Sequence, residues 1–428
     1  MSIKAPPSSR FRKRTGDRCM GKHATILTSG ACAASIDFDG ALAILAAHAR
    51  PLGKESVALA DAGGRHLAAP VLARIDAPRR DCAAMDGYAV RDADLKNGTI
   101  FLRSRGTSYA GGAKPGAISA GETWRVMTGA PLPHGSDRVV MIEHCRHRGE
   151  LVALDAAPLG KPHVRKAGSD FVAGDELLAA GTRMTAARRV VASAADHSEV
   201  EVWRRPRILL VATGDEILAP GCASRMPNAI PDSLSGAIEQ MCVLAGADVV
   251  ARLRLPDNEQ AIAEAQQEAS ADVVVVIGGA SRGDRDFGRS AFASLGLEVA
   301  FADVAIKPGK PVWYGRLRQT HVLGLPGNPT AAFTVASLFL APLIAGLSGG
   351  KISDALPWQL RHSTRPIPPN GPREAFLCAS LSYEGAAICD RQDASGQAML
   401  GLADCLVRRP AHAPTANVGD LVPVLPLC

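Results

Sequence analysis

Five near-continuous Val/Ile runs separated by helical stretches constrain this chain more than any other feature. The runs are RILLVA (207–212), ADVVARL (247–253), ADVVVVI (271–277), VAFADVAI (299–306) and HVLGL (321–325). Between them lie SLSGAIEQMCVLAG (233–246), NEQAIAEAQQEAS (258–270) and FGRSAFASLG (287–296). Strands that are apolar throughout, and not alternating, need cover on both faces. Helices between them supply that cover. The pattern predicts an α/β unit with a doubly wound, mostly parallel sheet.

The flanks read differently. IDFDGALAILAAHA (36–49) predicts an amphipathic helix with Ile36, Leu42, Ile44 and Leu45 on its apolar side. From about 70 to 203, short β-branched runs alternate with Gly/Pro turns, which predicts small β-rich units. Beyond 353, EAFLCAS, AICDRQ and DLVPVL predict a compact all-β domain. The apolar segment 329–350 is long enough to span a bilayer. Pro342 interrupts it and small residues dilute it, so a buried helix is expected.

Charge and cysteine usage exclude other classes. The net charge is +6, and residues 1–30 hold seven of the 48 basic and one of the 42 acidic side chains. The rest is neutral, so the body is no basic nucleic-acid binder. Aromatics are only 4%, which argues against a base-stacking platform. The basic segment is expected to be a disordered tail; an upstream start codon before a true start near Met20, or a transit peptide, are its other readings. No two of the ten cysteines form C-x-x-C, and none lie closer than eleven residues. Scattered free thiols in a reducing cytoplasm are expected, not a zinc ribbon or disulfide framework. Glu143-His144-Cys145-Arg146-His147 resembles a metal cluster, but His144 and Cys145 would face opposite sides of a strand.

Ligands of open parallel sheets bind beyond the carboxyl ends of the strands. Four of the five runs enter chemically unusual loops there: Thr213-Gly214-Asp215-Glu216, Gly278 to Asp286, Lys307-Pro308-Gly309-Lys310-Pro311, and Pro326-Gly327-Asn328-Pro329. Glycines let backbone N–H groups approach oxyanions, helix N-termini add positive potential, and two lysines supply point charges for phosphate. Glu216, Asp284 and Asp286 are hard-oxygen ligands suited to Mg2+. The glycine loop is neither a P-loop nor a dinucleotide fingerprint. Each loop also has a plain reading as a turn or a helix cap; their convergence at one sheet edge favours a site.

These loops, with DCAAMDGYAV (81–90) and VMTGAPLP (126–133), resemble the molybdopterin molybdenumtransferases, relatives of the gephyrin E domain. The resemblance runs from about residue 36 to the C-terminus. It implies an elongated homodimer of four-part chains: two N-terminal domains, one inserted in the other, an α/β domain and a C-terminal β-barrel. After the basic tail (1–33), these fall on an N-terminal region (34–204) with an inserted β-rich domain (about 72–165), an α/β molybdopterin-binding domain (205–352) and a C-terminal β-barrel (353–428). It implies Mg2+-dependent insertion of molybdate into adenylylated molybdopterin with release of AMP. An upstream adenylyltransferase and a recipient molybdoenzyme are the implied partners, with no nucleic acid and no membrane. Catalytic roles carry over to Asp86, Thr128, Asp170, Glu216 and Asp286. Substrate-binding roles carry over to Gly278, Gly279, Ser281, Gly283, Asp284, Lys307, Lys310, Pro326, Gly327, Asn328, Arg373 and Ser395.

The chain departs from the family pattern at Ile277, Arg282, Thr330-Ala331-Ala332, Ala83 and Cys378, where Thr, Val, Ser, Ser and Arg respectively are usual. Arg282 is an added cation that could replace the missing Arg. The thinned hydroxyl and Arg set leaves a second reading open, a non-catalytic protein that binds or delivers molybdopterin. A sugar-phosphate or nucleotide phosphotransferase is a third, weakened by the missing P-loop.

Overall fold

A strand with no polar face is stable only in the middle of a layered sheet, and the computed structural model places the Val/Ile runs there. It describes residues 35–96, 101–154, 160–279 and 287–427. The central sheet runs Asp248–Leu255, Arg207–Thr213, Val273–Ile277, Thr320–Leu325, Trp313–Leu317, Glu298–Ala302. The first four strands are parallel, and the last two pair antiparallel. Alternate residues of one strand serve the two layers. Ile208 and Leu210 pack in one core with Ile238, Phe339 and Ile344, whereas Leu209 and Val211 pack in the other with Ile262 and Phe292.

Two sequence expectations are corrected here. VAFADVAI is not one strand. It ends at Ala302, because Asp303 turns the backbone to φ 57. Ile306–Lys307 then pairs with Glu374–Ala375 in the C-terminal sheet. The strand Trp313–Leu317, buried at Trp313 and Tyr314, was not anticipated. The edge geometry survives both changes. Glu298–Ala302 is antiparallel to a strand that is itself antiparallel to Thr320–Leu325, so it ends at the same edge as the parallel strands. The lysine loop therefore leaves from that edge.

Pro329–Leu347 forms one helix whose most apolar stretch is 83% buried, a core helix as expected. Pro342 cannot donate to a helical bond and crowds the carbonyl four residues back. The helix widens to a π turn over Ala336–Leu340 just before it. The C-terminal strands Glu374–Leu381, Cys405–Arg409, Leu421–Pro426 and Gln359–His362 pair in that order. A bridge from Ser363 to Ala386 joins the last strand back to Ala386–Ile388, beside Glu374–Leu381, so the sheet curls closed around Ile367, Val407 and Val424.

In the N-terminal half, six strands order as Arg138–Met141, Gly87–Val90, Glu122–Val126, Phe101–Ser108, Leu151–Leu154, Cys145–Arg148. The helix Phe38–His48, capped by Asp37 on Gly40 N–H at 2.8 Å, packs into the α/β core. Phe38 lies 5.6 Å from the Phe339 ring and 5.0 Å from that of Phe376. The helix buries Phe38, Ala41 and Leu45 most deeply; Ile36, Leu42 and Ile44 are half-buried.

Candidate functional site

The strand ends surround a cavity of about 600 Å³. All four expected loops line it, through Thr213, Gly214 and Glu216, through Gly278–Gly279, through Pro326–Asn328, and through Pro311 alone of the lysine loop; the C-terminal domain adds Ser395 and Gln397. Glycine is required where the loops close on one another. Gly278 has φ 95, and a Cβ there would sit 3.0 Å from Thr213 Oγ1 and 3.1 Å from the Thr213 carbonyl oxygen. Gly309 has φ 103, and a side chain there would collide with Val335, so the lysine loop lies against the long helix.

Polar groups are unevenly placed. Glu216, Asp232 and Asp257 line the cavity, whereas none of its described lining residues is Lys or Arg. Asp232 is committed: it accepts from Ser235 N–H at 3.0 Å and faces Arg254 at 3.5 Å. Glu216 is exposed and has no side-chain partner among the described residues. Lys307 and Lys310 are exposed on the loop from the same edge. Arg373 donates to the Ile306 carbonyl at 3.4 Å, beside Lys307. The hydroxyl of Thr213 is buried without a hydrogen-bond partner among the described residues.

The helix head after Pro326-Gly327-Asn328 differs from expectation. Pro329 has no N–H, Thr330 and Ala331 donate to the Ala394 carbonyl at 3.0 and 3.2 Å, and Ala332 donates to Asn328. Its first donors are thus taken by the C-terminal domain and by the helix itself, and are not open to an oxyanion. The Asn328 side chain caps nothing.

Asp86 and Thr128 lie together but do not line this cavity. Pairing of Gly87 with Val126 sets them side by side. Asp86 Oδ1 accepts from Thr128 N–H at 2.6 Å and from its hydroxyl at 2.8 Å. The N–H first, and the hydroxyl second, hold the Asp86 carboxyl below the usual carboxylate range. Asp170 is exposed, its N–H bonded to the Ala77 carbonyl at 2.9 Å, and it too is outside the cavity. Ser281, Arg282, Gly283, Asp284 and Asp286 lie outside the described residues.

Cys378 is not an open gap in an oxyanion site. It is 1% exposed in the core with Phe376 and Leu406, and burial pushes its thiol up to about 12. Ile277 and Ala331 are buried as well, at 4% and 3% exposure. Among the described residues, no group of three or more His, Cys, Asp or Glu is placed to hold a metal ion, and Cys145 donates to the Met141 carbonyl at 3.4 Å. Sequence reasoning missed Asp257 because it followed only four strands outward. The second strand, Asp248–Leu255, ends two residues before Asp257, and the rule for carboxyl ends would have found it.

Comparison with known proteins adds a family. Residues 36–195 match the MoeA N-terminal region (domain I and II), and residues 209–346 match a probable molybdopterin binding domain. A molybdopterin molybdenumtransferase from Nostoc sp. is 34% identical over 304 residues, 69% of this chain and 70% of that protein. Another, from Synechococcus elongatus, is 32% identical over 355 residues, 81% of this chain and 87% of that one. A crystal structure of a molybdopterin biosynthesis MoeA protein from Pyrococcus horikoshii OT3 shares the fold, with a TM-score of 0.81 at 22% identity over 92% of this chain and 100% of that one. The loops of the cavity, the family matches and the length of the aligned relatives agree: this chain belongs to the molybdopterin molybdenumtransferase (MoeA) family.

Proposed function

We propose that this chain inserts molybdate into adenylylated molybdopterin and releases AMP. The observation that carries this reading is the cavity itself: loops from three parallel strands, a lysine loop at the same edge and a serine from the C-terminal domain meet around about 600 Å³. That volume suits a pterin nucleotide. The interior presents carboxylates and neutral groups, which suit the amino and N–H donors of a pterin ring. Lys307, Lys310 and Arg373 put positive charge at the rim for the phosphates and the molybdate dianion. The dithiolene sulfurs that receive molybdenum belong to the substrate, so no protein thiol is needed. This agrees with Cys378 and Cys405 being buried and held protonated.

Mg2+ commonly takes only one or two protein carboxylates, and the chemistry of the wall suits that number. Glu216 and Asp257 bring carboxylates to the wall, and Asp284 and Asp286 follow Gly279 in sequence. Mg2+ bound there would offset the charge that develops on departing AMP. Asp86 and Thr128 stand apart from the cavity within one chain. We therefore include a homodimer in the proposal, in which the N-terminal half of a second copy completes each cleft. The test is purified protein with adenylylated molybdopterin, Mg2+ and molybdate, with AMP followed over time. Molybdate-dependent AMP release that is lost in Glu216→Ala is expected. Substrate that stays bound and intact in the wild-type protein would overturn the enzymatic reading.

A further inference from the structure

We infer that Thr330 is a positioning residue, clamping the Asp393–Gln397 turn of the C-terminal domain to the helix head and so holding Ser395 against the cavity. The inference rests on the proposed function, since Ser395 matters only if the cavity binds the substrate. Thr330 is 1% exposed. Its hydroxyl donates to the Gly396 carbonyl at 3.0 Å. Its N–H, and that of Ala331, donate to the Ala394 carbonyl at 3.0 and 3.2 Å. The two acceptors flank Ser395 in sequence: the Ala394 carbonyl is in the peptide unit just before the serine, and the Gly396 carbonyl is in the unit that follows Gly396. The turn is closed on itself by Gly396 N–H to the Asp393 carbonyl at 3.0 Å. Ser395 and Gln397 then form the part of the cavity wall that belongs to the C-terminal domain.

The side-chain chemistry separates position from packing. Valine would fill the same volume as threonine, so only the hydroxyl distinguishes them here. One turn further on, Thr334 is also fully buried, yet its hydroxyl has no partner among the described residues. Thr334→Val therefore makes the same chemical change, on the same helix, without breaking a bond. The amide bonds to Ala394 survive both substitutions. What Thr330→Val removes is the tether on the far side of Ser395.

The experiment is a double-mutant cycle on AMP release, with Thr330→Val, Thr330→Ser, Thr334→Val and Ser395→Ala. Thr330→Val should raise the molybdate concentration for half-maximal rate about 3- to 10-fold, the range for one lost hydrogen bond. Thr330→Ser should restore it, and Thr334→Val should leave it unchanged. In the Ser395→Ala background, Thr330→Val should add nothing. Additive effects, or a Ser395→Ala enzyme indistinguishable from wild type, would overturn the assignment. Hydrogen exchange gives an arm independent of turnover. Amides of residues 393–397 should exchange faster in Thr330→Val and not in Thr334→Val. Equal exchange in the two refutes the clamp. Faster exchange in Thr330→Val alone, together with no AMP release by the wild-type protein, would instead place the failure in the functional reading.

Discussion

Gly278→Ala tests whether the close approach of the glycine loop to the first strand is what shapes the cavity. At φ 95 an L side chain costs about 1–2 kcal/mol. The new Cβ would also press on Thr213 Oγ1 at 3.0 Å and on the Thr213 carbonyl oxygen at 3.1 Å. Thr213 ends a strand paired with Leu255, so the neighbour that must yield includes sheet backbone, at roughly a further 1 kcal/mol. A stiffer unfolded chain returns about 0.4–1 kcal/mol. The net loss is about 1–2.6 kcal/mol, or roughly 2–10 °C in Tm. Activity should fall further, about 100-fold, because loop displacement of the order of an ångström is enough to spoil a reacting geometry. Gly327→Ala is the matched control: among the described residues its Cβ would meet nothing nearer than Gly278 Cα at 3.6 Å, an ordinary contact. Calorimetry and AMP release read both variants. A Gly278→Ala enzyme with wild-type Tm and rate, or a Gly327→Ala enzyme equally destabilised, would refute the reasoning.

The sequence disclosed the layered sheet because Val273 to Val276 have no polar alternation to mislead a reader, and both faces are in fact covered. It disclosed three of the four loops because each follows such a strand. It failed where a tertiary partner decided the outcome. Ile306–Lys307 looks like the end of a strand by composition, but its partner is Glu374–Ala375, almost seventy residues on. Trp313–Leu317 follows a Pro/Gly-rich stretch, Lys-Pro-Gly-Lys-Pro, that masks the strand signal of its aromatic pair. The helix head looked like an anion site because nothing local shows that Ala394 occupies its donors. Cys378 looked like a lost contact because a motif comparison carries no information on which face of a strand a residue occupies.

Three further outcomes are expected. Thr128→Val removes one of the two donors that depress the Asp86 pKa, so that pKa rises and the acid limb of AMP release moves to higher pH; an unmoved limb in the pH–rate profile would separate Asp86 from the reaction. Cys378→Arg, which restores the family residue, should cost about 3–5 kcal/mol by burying an unpaired guanidinium, a large part of a typical stability; a wild-type urea midpoint would show that position 378 opens to solvent. The last concerns assembly. Asp86 lies outside the cavity and Glu216 lines it, so in the proposed homodimer each cleft takes one from each copy. Asp86→Ala and Glu216→Ala proteins should each be inactive alone. A heterodimer of the two has one cleft carrying both lesions and one carrying neither. Random exchange of equal amounts makes about half of the dimers mixed, with half of their clefts intact, so about a quarter of wild-type activity should return. If subunit exchange is verified by mass and no activity returns, each cleft is built within one chain, and Asp86 must reach the substrate by some route other than a second copy.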